Sequence, residues 1–199
     1  MSAALSKDEQ SERTRKALIG VAREMFTEQG YAQTATEEIV RRAGVTRGAL
    51  YYHYRDKAAL FKAVFEEERT ALIQAVLERI QAAEGDTWQR FVVTGCHAFI
   101  EYASSPSVRR IVHTDGPAVL DWVTLQQSGP GLMLLRTVFT RLMAEGLIEE
   151  QPVESLARLA WAMLFEASVY IGQAGDSAEA REEVLDTLLR LIAGLRLAP

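Results

Sequence analysis

Gly44 stands between two short runs whose apolar residues repeat at helical spacing, and that arrangement constrains the chain more than any other feature. Upstream, Ile39, Val40 and Ala43 form a short apolar face. Glu37 and Glu38 fall in the first turn of that run, where the helix dipole favours negative charge, and Thr36 is placed to cap it. A glycine at position 44 lets the backbone turn left-handed and end the helix. Val45 is apolar enough to pin the turn to a core, and Thr46 can cap a second helix from Arg47 to about His53. Two short helices around a glycine turn form the helix-turn-helix pattern. Asp56 can then cap a third helix that begins at Lys57.

The second helix opens on Thr46, Arg47, Gly48 and Ala49. Small residues there let backbone approach another surface, and the N–H groups and dipole at that end attract phosphate. Leu50 and Tyr54 are four apart and face inward, which directs the polar tips of Tyr51, Tyr52 and His53 outward. Such a run suits phosphates and base edges better than plain solvent. We expect Arg47 to meet base edges with Tyr51 and Ala49 beside it, Ala49 against a thymine methyl. Thr36, Thr46, Tyr52, His53 and Lys57 are expected at phosphates. Lys57 opposes the dipole at its own helix start, which predicts a compensating anion.

The segment from Thr14 to about Phe65 resembles the N-terminal DNA-binding domain of the TetR (tetracycline-repressor-like) transcriptional regulators. The matching residues are Ala22-Arg23-Glu24-Met25-Phe26 with Gly30-Tyr31, Thr36 with Ile39, Ala43-Gly44-Val45, Gly48 through Tyr54, and Lys57-Ala58-Ala59-Leu60. The resemblance implies an all-α fold. A three-helix head, residues 1–57, would be joined by a long helix to a helical effector-binding and dimerisation body, residues 58–199. It also implies a homodimer built on the last two helices, release from operator DNA by a small molecule, and repression as the outcome.

The formal net charge of −5 looks wrong for a DNA binder until it is divided. Residues 1–57 hold ten Lys and Arg against eight Asp and Glu, a balance of +2, and residues 58–199 hold twelve against nineteen, a balance of −7. Contact with DNA is therefore expected only at the N-terminal end. Arg13, Arg15, Lys16 and Arg23 lie off the apolar stripe of the first helix and could flank a phosphate backbone. The single Cys96 excludes an internal disulfide framework and suits a reducing cytoplasm. No apolar run approaches the length that spans a bilayer, and no signal peptide is evident, so no membrane partner is expected.

Helical periodicity continues to the end of the chain. A helix from residue 57 to 83 would be roughly 40 Å long and could act as a lever. Further helices are expected from Asp86 to Tyr102, Pro106 to His113, Val119 to Gln127, Leu132 to Glu145, Pro152 to Gly172, and Asp176 to Leu197, with a turn at Asp115-Gly116-Pro117. The last two carry more apolar surface than one side needs, which points to a partner subunit covering Leu164, Leu185, Leu188, Leu189 and Ile192. The middle helices supply Phe91, Phe99, Tyr102, Trp122, Phe139, Trp161 and Phe165 with the polar His97 and His113, a composition suited to a pocket for a hydrophobic or aromatic effector. No cofactor, metal site or catalytic residue is expected. Three other readings stay open. They are an architectural DNA binder without effector, a helical interaction module, and an enzyme using Cys96 and His113. The last is opposed by geometry, because adjacent helical residues such as Cys96 and His97 point about 100° apart.

Overall fold

Ser6 and Glu9 start the first helix with reciprocal bonds. The Glu9 backbone N–H donates to Ser6 Oγ at 3.2 Å, and the Ser6 N–H donates to Glu9 Oε2 at 2.7 Å. The computed structural model describes residues 6–121 and 129–197. Within them the chain forms α1 (Lys7–Gln33), α2 (Thr36–Ala43), α3 (Arg47–His53) and α4 (Lys57–Ala82), then α5 (87–103) and α6 (106–119). These are followed by α7 (Pro130–Ala144), α8 (Val153–Gln173) and α9 (Ala178–Ala193). The fold is all-α. Among the described residues the only strand-like pairing is a single bridge between Ile148 and Arg196.

The apolar stripe of α1, Leu18, Ile19, Ala22, Met25 and Phe26, is buried against Ile39 of α2, Leu50 of α3 and Leu60, Phe61 and Val64 of α4. Burial of this kind contributes on the order of 2 kcal/mol per large side chain and fixes the head as one unit. From there α4 runs unbroken into the body, where α5 and α6 pack along it and α8 packs on α7 and α9. At 26 residues it is about 39 Å long.

Several local expectations are corrected. Thr36 is the first residue of α2, not its cap; Ala35 holds the cap position, with no side-chain bond, and the Thr36 hydroxyl reaches Glu37 Oε2 at 3.2 Å. Asp115-Gly116-Pro117 is not a turn, because α6 continues through it. Pro117 falls in the Gly116–Val119 segment, which continues the helix from Asp115 in right-handed helical backbone. Gly116 is needed there, since a Cβ would lie 2.6 Å from the Phe65 ring and 3.0 Å from the Ile111 carbonyl oxygen. The last helix stops at Ala193, four residues early, and the chain then pairs back, the Leu197 N–H donating to the Leu147 carbonyl at 3.0 Å. Residues 122–128, most of the helix expected from Val119 to Gln127, lie outside the described residues.

Candidate nucleic-acid interface and buried cavity

α3 divides its residues as its spacing requires. Leu50 and Tyr54 are buried, while Tyr51 is 43% and Tyr52 76% exposed. Thr46 caps α3 by accepting the Ala49 N–H at 3.1 Å. Arg47 is an exposed cation, 5.5 Å from the face of Tyr51 one turn on and 3.9 Å from Glu37. Ala49, His53 and Thr36 are half-buried at the edge of the same surface. The nine residues expected at DNA thus fall into an outward set and one exception, Lys57. Gly48 is open on this surface, since a Cβ there would meet only Thr46 Oγ1 at 3.8 Å. Gly48→Ala should therefore leave the thermal midpoint unchanged or raise it, an effect of up to about 1 kcal/mol. It should still weaken DNA binding, because the new methyl stands between backbone and duplex. Unchanged affinity in a gel shift would remove Gly48 from the interface.

Lys57 is turned inward. Its ammonium donates to the carbonyls of Tyr31 at 2.8 Å and Thr34 at 2.9 Å and sits 4.3 Å from the Tyr31 ring. These carbonyls at the end of α1 supply the anionic compensation that a phosphate was expected to give, and two of its three N–H donors are used on them. The basic residues of α1 are likewise partly committed. Arg23 contacts Glu67 at 2.8 Å and the buried Glu68 at 2.7 Å, and Arg15 pairs with Glu12 at 2.9 Å and Glu67 at 3.5 Å, tying α1 to α4.

Tyr31 is where head and body join. Gly30 breaks α1 with φ +78°, and the Arg110 guanidinium of α6 occupies the space a Cβ would need, 1.7 Å from it. The Tyr31 N–H donates to Asp115 Oδ2 at 2.7 Å, and Arg110 Nε donates to the same oxygen at 3.2 Å. The Tyr31 ring packs edge-on against Phe61 of α4 at 5.1 Å. One residue therefore links the end of α1, the start of α4 and the far end of α6.

Two narrow, mostly apolar cavities lie side by side in the body. The first, about 20 Å³, touches Phe65, Arg69, Phe99, His113, Trp161 and Phe165. The second, about 50 Å³, touches Ile73, Phe91, Cys96, Phe99, Trp161 and Leu164. Each has room for about one to a few waters, far short of the usual ligand pocket. Each borders one π-helical turn, the first Val108–Asp115 in α6 and the second Gln89–Thr94 in α5, an irregularity frequent at functional sites.

Five expected effector residues, Phe91, Phe99, His113, Trp161 and Phe165, line these cavities. His97 does not: it is exposed, one residue round from the buried Cys96. Tyr102 is half-buried against the core, and Phe139 is buried in it, next to the lining residue Val138. Trp122 lies outside the described residues. Sequence reasoning missed the α4 wall, above all Arg69. This buried cation stands four residues after Phe65 and four before Ile73, inside an apolar stripe, and that interruption was the available signal. Its guanidinium is 5.3 Å from the Phe65 ring and 3.5 Å from Glu66, and burial lowers its pKa. Cys96 is buried and its thiol is pushed up to about 12, the opposite of what a nucleophile needs.

Burial pushes His113 down to about 4. The unfolded chain takes up that proton near pH 6.5. Stability present above 6.5 is therefore lost as pH falls toward 4, by about 3 kcal/mol at most. The thermal midpoint of the protein should drop across this window, and that of His113→Phe should lack this component. Parallel curves for the two would remove His113 from the acid response.

On the outer face of α8 and α9, Leu159 (66%), Tyr170 (49%) and Leu191 (61%) are exposed around a groove that also takes in Met163, Ala167, Val184 and Leu188. Of the expected partner-facing set, only Leu188 borders this groove. Leu164, Leu188 and Ile192 are buried within the chain, and Leu185 and Leu189 pack half-buried against its core. The two stripes sit side by side on each helix, and the one chosen from sequence is largely the intramolecular one.

Residues 88–195 match the family described as Tetracyclin repressor-like, C-terminal domain, and residues 18–64 match Bacterial regulatory proteins, tetR family. Over 78 residues the chain is 36% identical to the HTH-type transcriptional regulator AcrR of Shigella flexneri, a stretch covering 39% of this chain and 36% of that protein. It is 39% identical over 75 residues to the HTH-type transcriptional repressor Rv1474c of Mycobacterium tuberculosis, covering 38% of this chain and 39% of that protein. These matches span little more than a third of either relative. The crystal structure of a TetR-family transcriptional regulator from Pectobacterium atrosepticum superposes with a TM-score of 0.82 at 29% identity, covering 98% of this chain and 100% of that one.

Proposed function

The chain belongs to the TetR family of bacterial transcriptional regulators, and from that premise we propose that it is a homodimeric repressor released from its operator by a small apolar or aromatic effector. The observation that carries this reading is the division of α3: Leu50 and Tyr54 are buried, while Arg47, Gly48, Tyr51 and Tyr52 are presented outward. A recognition helix so placed enters the major groove, where Arg47 reaches base edges and Thr46, Tyr52 and His53 reach phosphates. Two copies related by a twofold axis meet half-sites about 34 Å apart, or a multiple of it. The groove of α8 and α9 is the surface that joins them.

Effector binding acts by population shift. A molecule entering the cavities between α4, α5, α6, α7 and α8 must enlarge them, so it favours a conformation in which those helices have moved apart. α6 carries His113 at the cavity and Asp115 at Tyr31, and α4 carries Phe65 at the cavity and Lys57 at Tyr31. A shift of either helix is therefore felt at the base of the head. A coupling of about 1–3 kcal/mol, or 5–150-fold in operator affinity, is enough to release the DNA.

A gel shift with the DNA flanking the protein's own gene tests the reading. Binding should be sequence-selective and should weaken steeply between 50 and 200 mM salt, by roughly 10³-fold or more for six or more phosphate contacts. Absence of salt-sensitive binding would return the chain to the interaction-module reading.

A further inference from the structure

Ser168 decides which nitrogen of His113 carries the proton. Its Oγ donates to the Phe165 carbonyl at 2.7 Å, and that bond uses the one hydroxyl hydrogen. The same Oγ lies 3.2 Å from His113 Nε2, so there it accepts. Nε2 of a neutral imidazole is then the donor, and Nδ1 is left as a bare lone pair. Nδ1 is buried and has no hydrogen-bond partner among the described residues. A buried acceptor of this kind is unfavourable until something donates to it.

The surroundings of the ring restrict what that something is. His113 stands edge to face with Phe165 at 4.8 Å, and Phe99 and Trp161 of the same cavity stand edge to face at 5.7 Å. An anion would bring its own lone pairs against Nδ1, and a cation would be repelled by Arg69, which lines the same cavity and already has Glu66 at 3.5 Å as its counter-ion. A neutral aromatic that carries a donor satisfies both the lone pair and the rings. Resting on the effector-cavity reading above, we propose that the effector is a compact neutral aromatic bearing a hydroxyl or N–H group, the phenol class. Its donor bonds His113 Nδ1, and Phe99, Trp161 and Phe165 hold its ring.

Calorimetric titration of phenol, toluene and benzoate into the full-length protein, His113→Phe and Ser168→Ala tests this. Comparing ratios between variants cancels the different solvation of the probes. The ratio of the toluene Kd to the phenol Kd should fall about tenfold from wild type to His113→Phe. Ser168→Ala keeps the ring but releases the tautomer, so the ratio should fall there by a smaller factor. Benzoate should bind the wild type more weakly than phenol. An unchanged ratio in His113→Phe, with both neutral probes bound, would overturn the donor role while leaving the cavity as the effector site. Benzoate binding more tightly than phenol would overturn the neutral class in favour of an anion. If not even toluene binds the wild type, the cavity reading fails and takes the proposal with it.

Discussion

Leu191→Glu should yield a monomer by light scattering and lower operator affinity by at least about 100-fold. Leu191 is 61% exposed in the single chain, so within one subunit the change is a surface substitution worth within about 0.5 kcal/mol. Helix content by circular dichroism should hardly move. In a twofold pair the same residue lies in the apolar groove of α8 and α9, and each interface receives two buried carboxylates. A carboxylate placed in an apolar contact without a partner costs several kcal/mol. A single head then holds only one half-site, and the second is no longer delivered at high local concentration. Leu188→Glu would be a poorer test, because Leu188 is only 4% exposed and its loss would also damage the core. A Leu191→Glu protein that remains dimeric and binds operator as before would show that subunits meet elsewhere.

Arg47→Ala should cost about 1–3 kcal/mol for each head, and so roughly 2–6 kcal/mol for a dimer with both half-sites engaged. The fold should tolerate it. The Arg47 side chain is 70% exposed, and its 3.9 Å approach to Glu37, itself 66% exposed, is a surface pair worth little. The loss should be selective, with affinity for the operator falling toward that for shuffled DNA of equal length. Competition gel shifts with both DNAs make the distinction. Equal weakening on the two would move Arg47 from the base edges to the phosphates.

How far the sequence could be read varied with the range of the interactions that decide each feature. The head was legible almost to the residue, because caps, a glycine turn and a 3.6-residue stripe act over a few neighbours. Thr46, Gly44 and Asp56 do what their positions predict. Lys57 was misjudged for the opposite reason. The carbonyls that satisfy it belong to residues 31 and 34, brought near only by the packing of α1 on α4. His97 and His113 were indistinguishable by type, yet one is exposed and the other is locked by Ser168, 55 residues away.

The amino-acid sequence by itself determined the helical class, the order of the head's three helices and the outward identity of Arg47, Tyr51 and Tyr52, because periodicity and capping are local and strong. Tertiary structure alone decided which stripe of α8 and α9 faces inward, which aromatics border the cavity, and that Asp115 reaches Tyr31. Those outcomes depend on the relative rotation and crossing of whole helices. Such a rotation is set by many weak contacts between segments distant in the chain, and no short stretch of residues encodes it.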